Sequence, residues 1–567
     1  MIKSKRNKGF TLLEILLVIA AIGILAAIVL VAINPNKQIE SARSAQRRSE
    51  INSITKAIQQ YSIDNNGQYP TGIDIGAKVI CNTGSQKSTD TLNPANLCNN
   101  KTDLRVLVPT YIASIPQSDS NNYYVRRSNN NIEVSHPRDT IWNIGGTPSL
   151  DLNFAKNKSL IDGVSGNNLI SFTRASTGTY VGEDGLIKTA VANEARFDHN
   201  PTTGESLGLL VEESRTNNYF ESENIAGTSA FSASTSSLNV ATAPDGSQAA
   251  DKLIGNNGQT GRQSVSKAPT LNAGTTYTFS VYLKAAERTF ATIWFDSLNI
   301  TEGAFWGANG WLDLSTGVSS NTTQTKIVPV GNGWYRAFVT ATPTVTGPFN
   351  LQVGIGTPNN LSDTGAPAQM KYTGDGSSGI FVWGGQLELG SFPTSYLINP
   401  NTTGVTTRNA DNVSITGANF TTTPGGWYNQ SEGTALQLYS HTGAAGSNNG
   451  LFNFHNSISP NNDRFTIRAG TYSVTTGGVT QATSNYSIPS ANNLAKIAFA
   501  YKTDDTALMR PVEQSILSDT SVILPTGINT LEIGKIEGTA LQINGHIRRL
   551  TYWPTRLSNT VLQSITQ

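Results

Sequence analysis

One carboxylate, Glu14, stands inside a run, residues 10–33, that is otherwise apolar except for Thr11. As a helix this run rises roughly 36 Å, enough to cross a bilayer. A carboxylate at that depth is costly alone and tolerable when it meets an opposite charge, so Glu14 calls for a cationic partner. Lys3, Lys5, Arg6 and Lys8 precede the run, which by the positive-inside rule keeps the N-terminus cytoplasmic and sends the rest of the chain outward. A removable secretory signal fits poorly, because its apolar core is shorter and lacks an acid. Cys81 and Cys98, the two cysteines of the chain, lie beyond the run. If that side is extracytoplasmic, a disulfide is their natural use. It would close a loop of about 18 residues and add about 3 kcal/mol, two free thiols being the alternative.

Flat aromatic rings cover the C–H faces of pyranoses, so tryptophans in loops or on open sheet faces are candidates for sugar binding. Trp306 and Trp311 lie among glycines in GAFWGANGWLDL, and Trp294 lies in RTFATIWFDS on a face with Phe290 and Thr292. These three are the glycan-binding candidates, with core packing as the default for each. Trp334 and Trp383 sit in alternating strand strings and read as core. No G-x-S-x-G elbow, H-E-x-x-H helix, P-loop or Ser/His/Asp arrangement occurs, so no catalytic residue is assigned and the chain reads as a non-enzyme. No metal site is assigned, because His546 has no second ligand at spacing. No cofactor is expected. A structural calcium stays unassigned, since Asp363, Asp375 and Asp463 are acids in loops without fixed spacing. Arg548, Arg549 and Arg556 interleave with Ile547, Leu550, Tyr552 and Leu557, the pattern of a polar strand face rather than a nucleic-acid site.

The elements that must position these residues change character along the chain. A length of 567 residues implies about three to five domains. With 40 Lys plus Arg against 39 Asp plus Glu, no global field favours nucleic acid or anionic lipid. After Asn34-Pro35, the residues Ile51, Ile54, Ile58 and Tyr61 share one helical face, and Asp64-Asn65-Asn66-Gly67 ends that helix. Gly145-Gly146 and Pro148 mark a boundary. Beyond it, short alternating segments and turn pairs such as Asp184-Gly185 predict β-structure.

The string KGFTLLEILLVIAAIGILAAI resembles the class III signal of type IV pilins and type II secretion pseudopilins. The resemblance implies a prepilin peptidase that cuts between Gly9 and Phe10 and N-methylates Phe10. It also implies that Glu14 offsets the new terminal amine of a neighbouring subunit during filament assembly. RFDHNPTTG followed by GLLVEESRTN resembles an element of phage tail fibres and bacterial surface proteins. TLNAGTTYTFSVYLKAAE, GNGWYRAFVTATP and IFVWGGQLELGSFPTSYLINP look like strands of a carbohydrate-binding-module-like sandwich. GWYNQSEGTALQLYSH and GHIRRLTYWPTRL resemble the concanavalin A-like lectin sandwich of laminin-G-like modules, without the E-x-D-x-x-E strand of its glucanases.

The expected fold is therefore multidomain and mainly β: a long-helix pilin (α+β) followed by two antiparallel β-sandwiches of jelly-roll type. The expected divisions are a leader at 1–9, a membrane or filament-core helix at 10–33 and the rest of the pilin helix and head at 34–144. A linker and strand-rich segment at 145–205 follows, then a carbohydrate-binding-module-like sandwich at 206–410 and a lectin-like sandwich at 411–567. The expected role is a minor or tip pilin acting as a surface adhesin. Its partners would be other pilins, prepilin peptidase, the assembly machinery, the membrane through its first helix, and a surface polysaccharide or glycoprotein. The alternatives are a pseudopilin of secretion or DNA uptake that recognises cargo, and, behind both, a polysaccharide hydrolase.

Overall fold

The computed structural model describes residues 35–73, 78–81, 101–116, 123–128, 131–135, 148–226, 230–296, 299–300, 311–320, 325–356, 371–422, 426–442, 449–510, 515–536 and 541–566. The chain divides into two compact units, Met1–Gly146 and Thr147–Gln567.

In the first unit the helix Pro35–Asp64 opens on a proline, whose missing N–H costs nothing in a first turn. It ends where Asn66 and Gly67 turn to positive φ, as the Asp-Asn-Asn-Gly string requires. Ile54, Ala57 and Ile58 are buried against Leu104, Leu107, Val125 and Val134, with Ile51 and Tyr61 at the margin. The apolar stripe read from the sequence is thus the face that packs. Its partner includes a three-stranded antiparallel sheet of β1 (Lys78–Val79), β2 (Tyr124–Ser128) and β3 (Asn131–Ser135). No described helix is long and apolar enough to cross a membrane, and the run at 10–33 lies outside the described residues.

The second unit holds two sandwiches, but they do not follow one another along the chain. The larger one packs a seven-stranded sheet on an eight-stranded sheet. Most of its strands come from residues 412–553, yet β4 (Leu150–Leu152), β5 (Ser171–Thr173), β8 (Phe197–His199) and β9 (Ser206–Val211) belong to it as well. β4 pairs with the end of Gly545–Trp553, Asp151 facing Thr551, and β9 pairs with the start of that same strand. β5 closes the edge of the other sheet against Asn412–Ile415. Leu150, Leu152, Phe172, Leu209 and Val211 share one core with Phe452, Phe465, Ile533 and Tyr552. Gly208, at φ +93°, lets β9 pass so close that a Cβ there would lie 2.4 Å from the Ile547 carbonyl oxygen.

The smaller sandwich is an insertion. The chain enters it through β10 (Arg215–Asn217) and returns through Thr406–Arg408, which pairs antiparallel with β10 as a two-stranded stem. Between them a seven-stranded and a six-stranded sheet enclose Phe279, Val281, Ile293, Phe295, Val353 and Val382. The segment expected at 145–205 as a linker and strand-rich stretch does carry strands, but they are not a separate division. That segment supplies strands to the C-terminal sandwich, and residues 206–211 belong to that sandwich and not to the inserted one. The reason is that a strand's partner is set by register and burial over the whole sheet, and here the partners stand hundreds of residues apart.

Two features lock the insertion to its host. One is a charge cluster with fully or almost fully buried side chains: Arg174 Nη1 lies 3.0 Å from Asp411, Arg196 bridges Glu212 at 2.7 Å and Asp411 at 2.5 Å, and Arg408 reaches Glu212 at 2.9 Å. Ser395, from the inserted segment, donates its backbone N–H and its hydroxyl to Glu212. The other is an aromatic cluster of Tyr282, Trp334, Trp383 and Tyr396, with Ile187 of the host packed against it. Burial alone would raise the Glu212 carboxyl, but Arg408 and Arg196 beside it hold it well below the usual carboxylate range. A depressed carboxyl contributes stability that is complete above its unfolded value, about 4.3, and is lost as pH falls below it. Thermal melts of the protein are expected to hold steady down to about pH 5 and to fall below it; a melting temperature unchanged at pH 3 would contradict this.

Candidate functional site

The three tryptophans proposed from the sequence do not come together as a binding face. Ile293 and Phe295 enter the core between the sheets, so Trp294 points to the opposite face. It is only 6% exposed there, and a Cβ at Gly354 would lie 3.1 Å from its ring. Trp311 is half-buried and meets Phe290 edge to face at 5.5 Å. Trp306 lies outside the described residues. Trp334 and Trp383 are buried as expected, but in the aromatic cluster on the outer face of the six-stranded sheet rather than between the sheets.

Gly9, Phe10, Glu14 and Cys98 lie outside the described residues, while Cys81 is buried and disulfide-bonded. Arg548, Arg549 and Arg556 each face a carboxylate, Glu205, Asp151 and Asp505 respectively, and so form no cationic patch. His546 Nε2 lies 2.7 Å from Asp198, a carboxylate that sequence spacing did not place beside it. Among the described residues no three His, Cys, Asp or Glu side chains gather as a metal site. The Asp375 carboxylate accepts from the backbone of Ser377 and Ser378, and Asp463 from that of Gly477.

What the second unit does contain is a groove of about 850 Å³, within the usual range for ligand sites. It is built by the segment 158–199. β6 (Gly178–Val181) and β7 (Ile187–Ala190) form a hairpin in which Tyr180 and Lys188 are cross-strand partners. Phe197 and His199 of β8 and Lys158 and Leu160 line the groove with them. Its position is fixed from behind: the Val181 N–H donates to Asp198 at 2.6 Å, and the other oxygen of Asp198 faces His546. Two ion pairs stand at the groove, Lys158 with Glu183 at 2.6 Å and Lys188 with Asp184 at 2.7 Å. Lys158 holds the Glu183 carboxyl below its usual range, and Lys188 does the same to Asp184. His199 is 4% exposed; its Nδ1 lies 3.1 Å from the Val181 carbonyl, and its Nε2 is buried without a hydrogen-bond partner among the described residues.

Residues 4–30 match the prokaryotic N-terminal methylation motif. The type II secretion system core protein G of Aeromonas hydrophila is 41% identical over 69 residues, which are 12% of this chain and 46% of that protein. The protein of the same name from Escherichia coli (strain K12) is 41% identical over 66 residues, 12% of this chain and 43% of its own. The chain thus spans less than half the length of the curated relatives it matches. Solved structures similar to it include the Ruminococcus gnavus IT-sialidase CBM40 bound to α2,3 sialyllactose, at 18% identity and a TM-score of 0.21, covering 24% of this chain and 83% of that one. Mouse laminin α1 domains LG4-5 match at 10% identity and a TM-score of 0.17, covering 50% and 82%.

Sequence reasoning missed the groove because it searched for tryptophans. Tyr180 and Phe197 look like ordinary strand residues until the hairpin and β8 are brought side by side. The one local signal was the turn Glu183-Asp184-Gly185 with Lys188 close behind it, a charged hairpin tip flanked by an aromatic.

Proposed function

We propose that this chain is a minor, pilin-like subunit whose second unit binds glycans, so that the filament displays it as a surface adhesin. The observation that carries the reading is the joining of an N-terminal methylation motif to a large unit of two β-sandwiches. Filament helices pack about 8–10 Å apart, whereas a sandwich of some 200 residues has a radius of gyration near 16 Å. Such a load on every subunit crowds its neighbours, which favours a rare or tip position. On this reading the precursor sits in the cytoplasmic membrane with its C-terminus outside. Prepilin peptidase cuts at Gly9 and methylates Phe10, and Glu14 pairs with the new amine of a neighbour. The role is binding rather than catalysis, and no loop acid is assigned to a structural calcium.

The test is mass spectrometry of the protein recovered from sheared filaments. The expected mature chain begins at Phe10 and carries one methyl group on its terminal amine; a chain that retains its basic leader would overturn the proposal. A second reading, a pseudopilin that recognises secreted cargo, is favoured by the names of the curated relatives. Immunogold labelling separates the two, because an adhesin decorates extended fibres and a secretion pseudopilin stays at the envelope.

A further inference from the structure

The groove of segment 158–199 has a composition that selects among glycans. Tyr180 and Phe197 bring two aromatic rings to its wall. Tyr180 and Phe197 are both half-buried, and Phe197 also packs against the core of the larger sandwich. Aromatic faces of this kind cover the C–H surface of a pyranose, while flanking charged groups take its hydroxyls. Around the rings stand Lys158, Lys188, Glu183, Asp184 and Glu194, two cations against three carboxylates. Both cations are already paired. A ligand carboxylate entering here would meet an excess of negative charge and no free cation among these groove residues, a repulsion that disfavours sialylated or uronate-rich chains. Neutral hydroxyls fare differently. A paired ammonium keeps donors to spare and a paired carboxylate keeps lone pairs, so each ion pair can serve two adjacent hydroxyls without breaking.

We infer that this groove binds a neutral pyranose oligosaccharide, with Tyr180 and Phe197 against the sugar faces and the two ion pairs taking its hydroxyls. The inference rests on the glycan-binding reading above and locates it in the hairpin groove rather than on either sandwich's sheet face.

The experiment uses the full-length protein in detergent micelles on an array of neutral, sialylated and uronate glycans, followed by titration of the best neutral ligand. Binding confined to neutral glycans and nearly independent of NaCl concentration is expected. Tyr180→Ala should weaken it about tenfold, and Tyr180→Phe should retain most of it. Thermal melts check that each variant is folded. As a readout on the unaltered protein, the neutral ligand should protect Lys158 and Lys188 from acetylation, read by peptide mass spectrometry. Preference for sialylated or uronate glycans, or absence of lysine protection, overturns the groove assignment. So does neutral-glycan binding that survives Tyr180→Ala but is lost in Trp311→Ala, an outcome that leaves the glycan-binding adhesin intact. Binding to none of the glycans, or to unglycosylated peptides only, removes both.

Discussion

Arg196→Ala is expected to destabilise the second unit by about 3–5 kcal/mol, the usual result of removing one member of a buried ion cluster. The guanidinium has no exposure and binds Glu212 and Asp411 together. Its loss leaves two carboxylates in a place from which water is excluded, and the remaining arginines, Arg174 and Arg408, are already committed to one each. Denaturant unfolding followed by tryptophan fluorescence measures the effect. A loss below about 1 kcal/mol would mean that water enters the cluster and that the two sandwiches are joined by the stem and the aromatic contact instead. Arg196→Lys is expected to fall between, because an ammonium cannot hold two carboxylates in the geometry of a planar fork.

The second large effect concerns where the chain can be cut. A fragment of residues 411–567, the natural choice from the sequence, is expected not to fold. It lacks β4, β5, β8 and β9, and so leaves Gly545–Trp553 unpaired along one edge and Asn412–Ile415 at the border of the other sheet. It also removes Leu150, Leu152, Phe172, Leu209 and Val211 from the core. Each buried apolar side chain contributes about 1.5–3 kcal/mol, so five together are comparable to the whole stability of a typical domain. A fragment of residues 147–567 keeps every one of these contacts and is expected to melt cooperatively. Circular dichroism and sharp amide dispersion from the shorter fragment would show that the N-terminal strands are dispensable.

These two expectations mark where the sequence could be read and where it could not. The strands of both sandwiches were visible, because alternation is local: TYTFSVYLKA sends Phe279, Val281 and Leu283 to the core in strict order. The first helix was visible for the same reason, its stripe of Ile54 and Ile58 being complete within one segment. The insertion was not. β4, β5 and β8 are three residues each, too short for a period, and Asp151 finds Thr551 across nearly the whole second unit. The groove was hidden for a related reason, since its aromatics come from separate strands and only their juxtaposition marks them. Arg174, Arg196 and Arg408 carry no local signal of burial, because it depends on carboxylates that the linear order scatters.

The pairing of β4 with Gly545–Trp553 has a mechanical meaning if the protein hangs from its N-terminus. Asp151 is gripped by Arg549 through two contacts, at 2.6 and 2.9 Å, and by Thr551 at 2.9 Å. Tension arriving at residue 147 therefore meets a clamped strand at once, and it reaches the groove through the next few dozen residues without crossing the inserted sandwich. The insertion hangs beside this load path. Ile187 of the groove's hairpin still leans on its aromatic cluster, so the inserted sandwich braces the ligand site without carrying the pull.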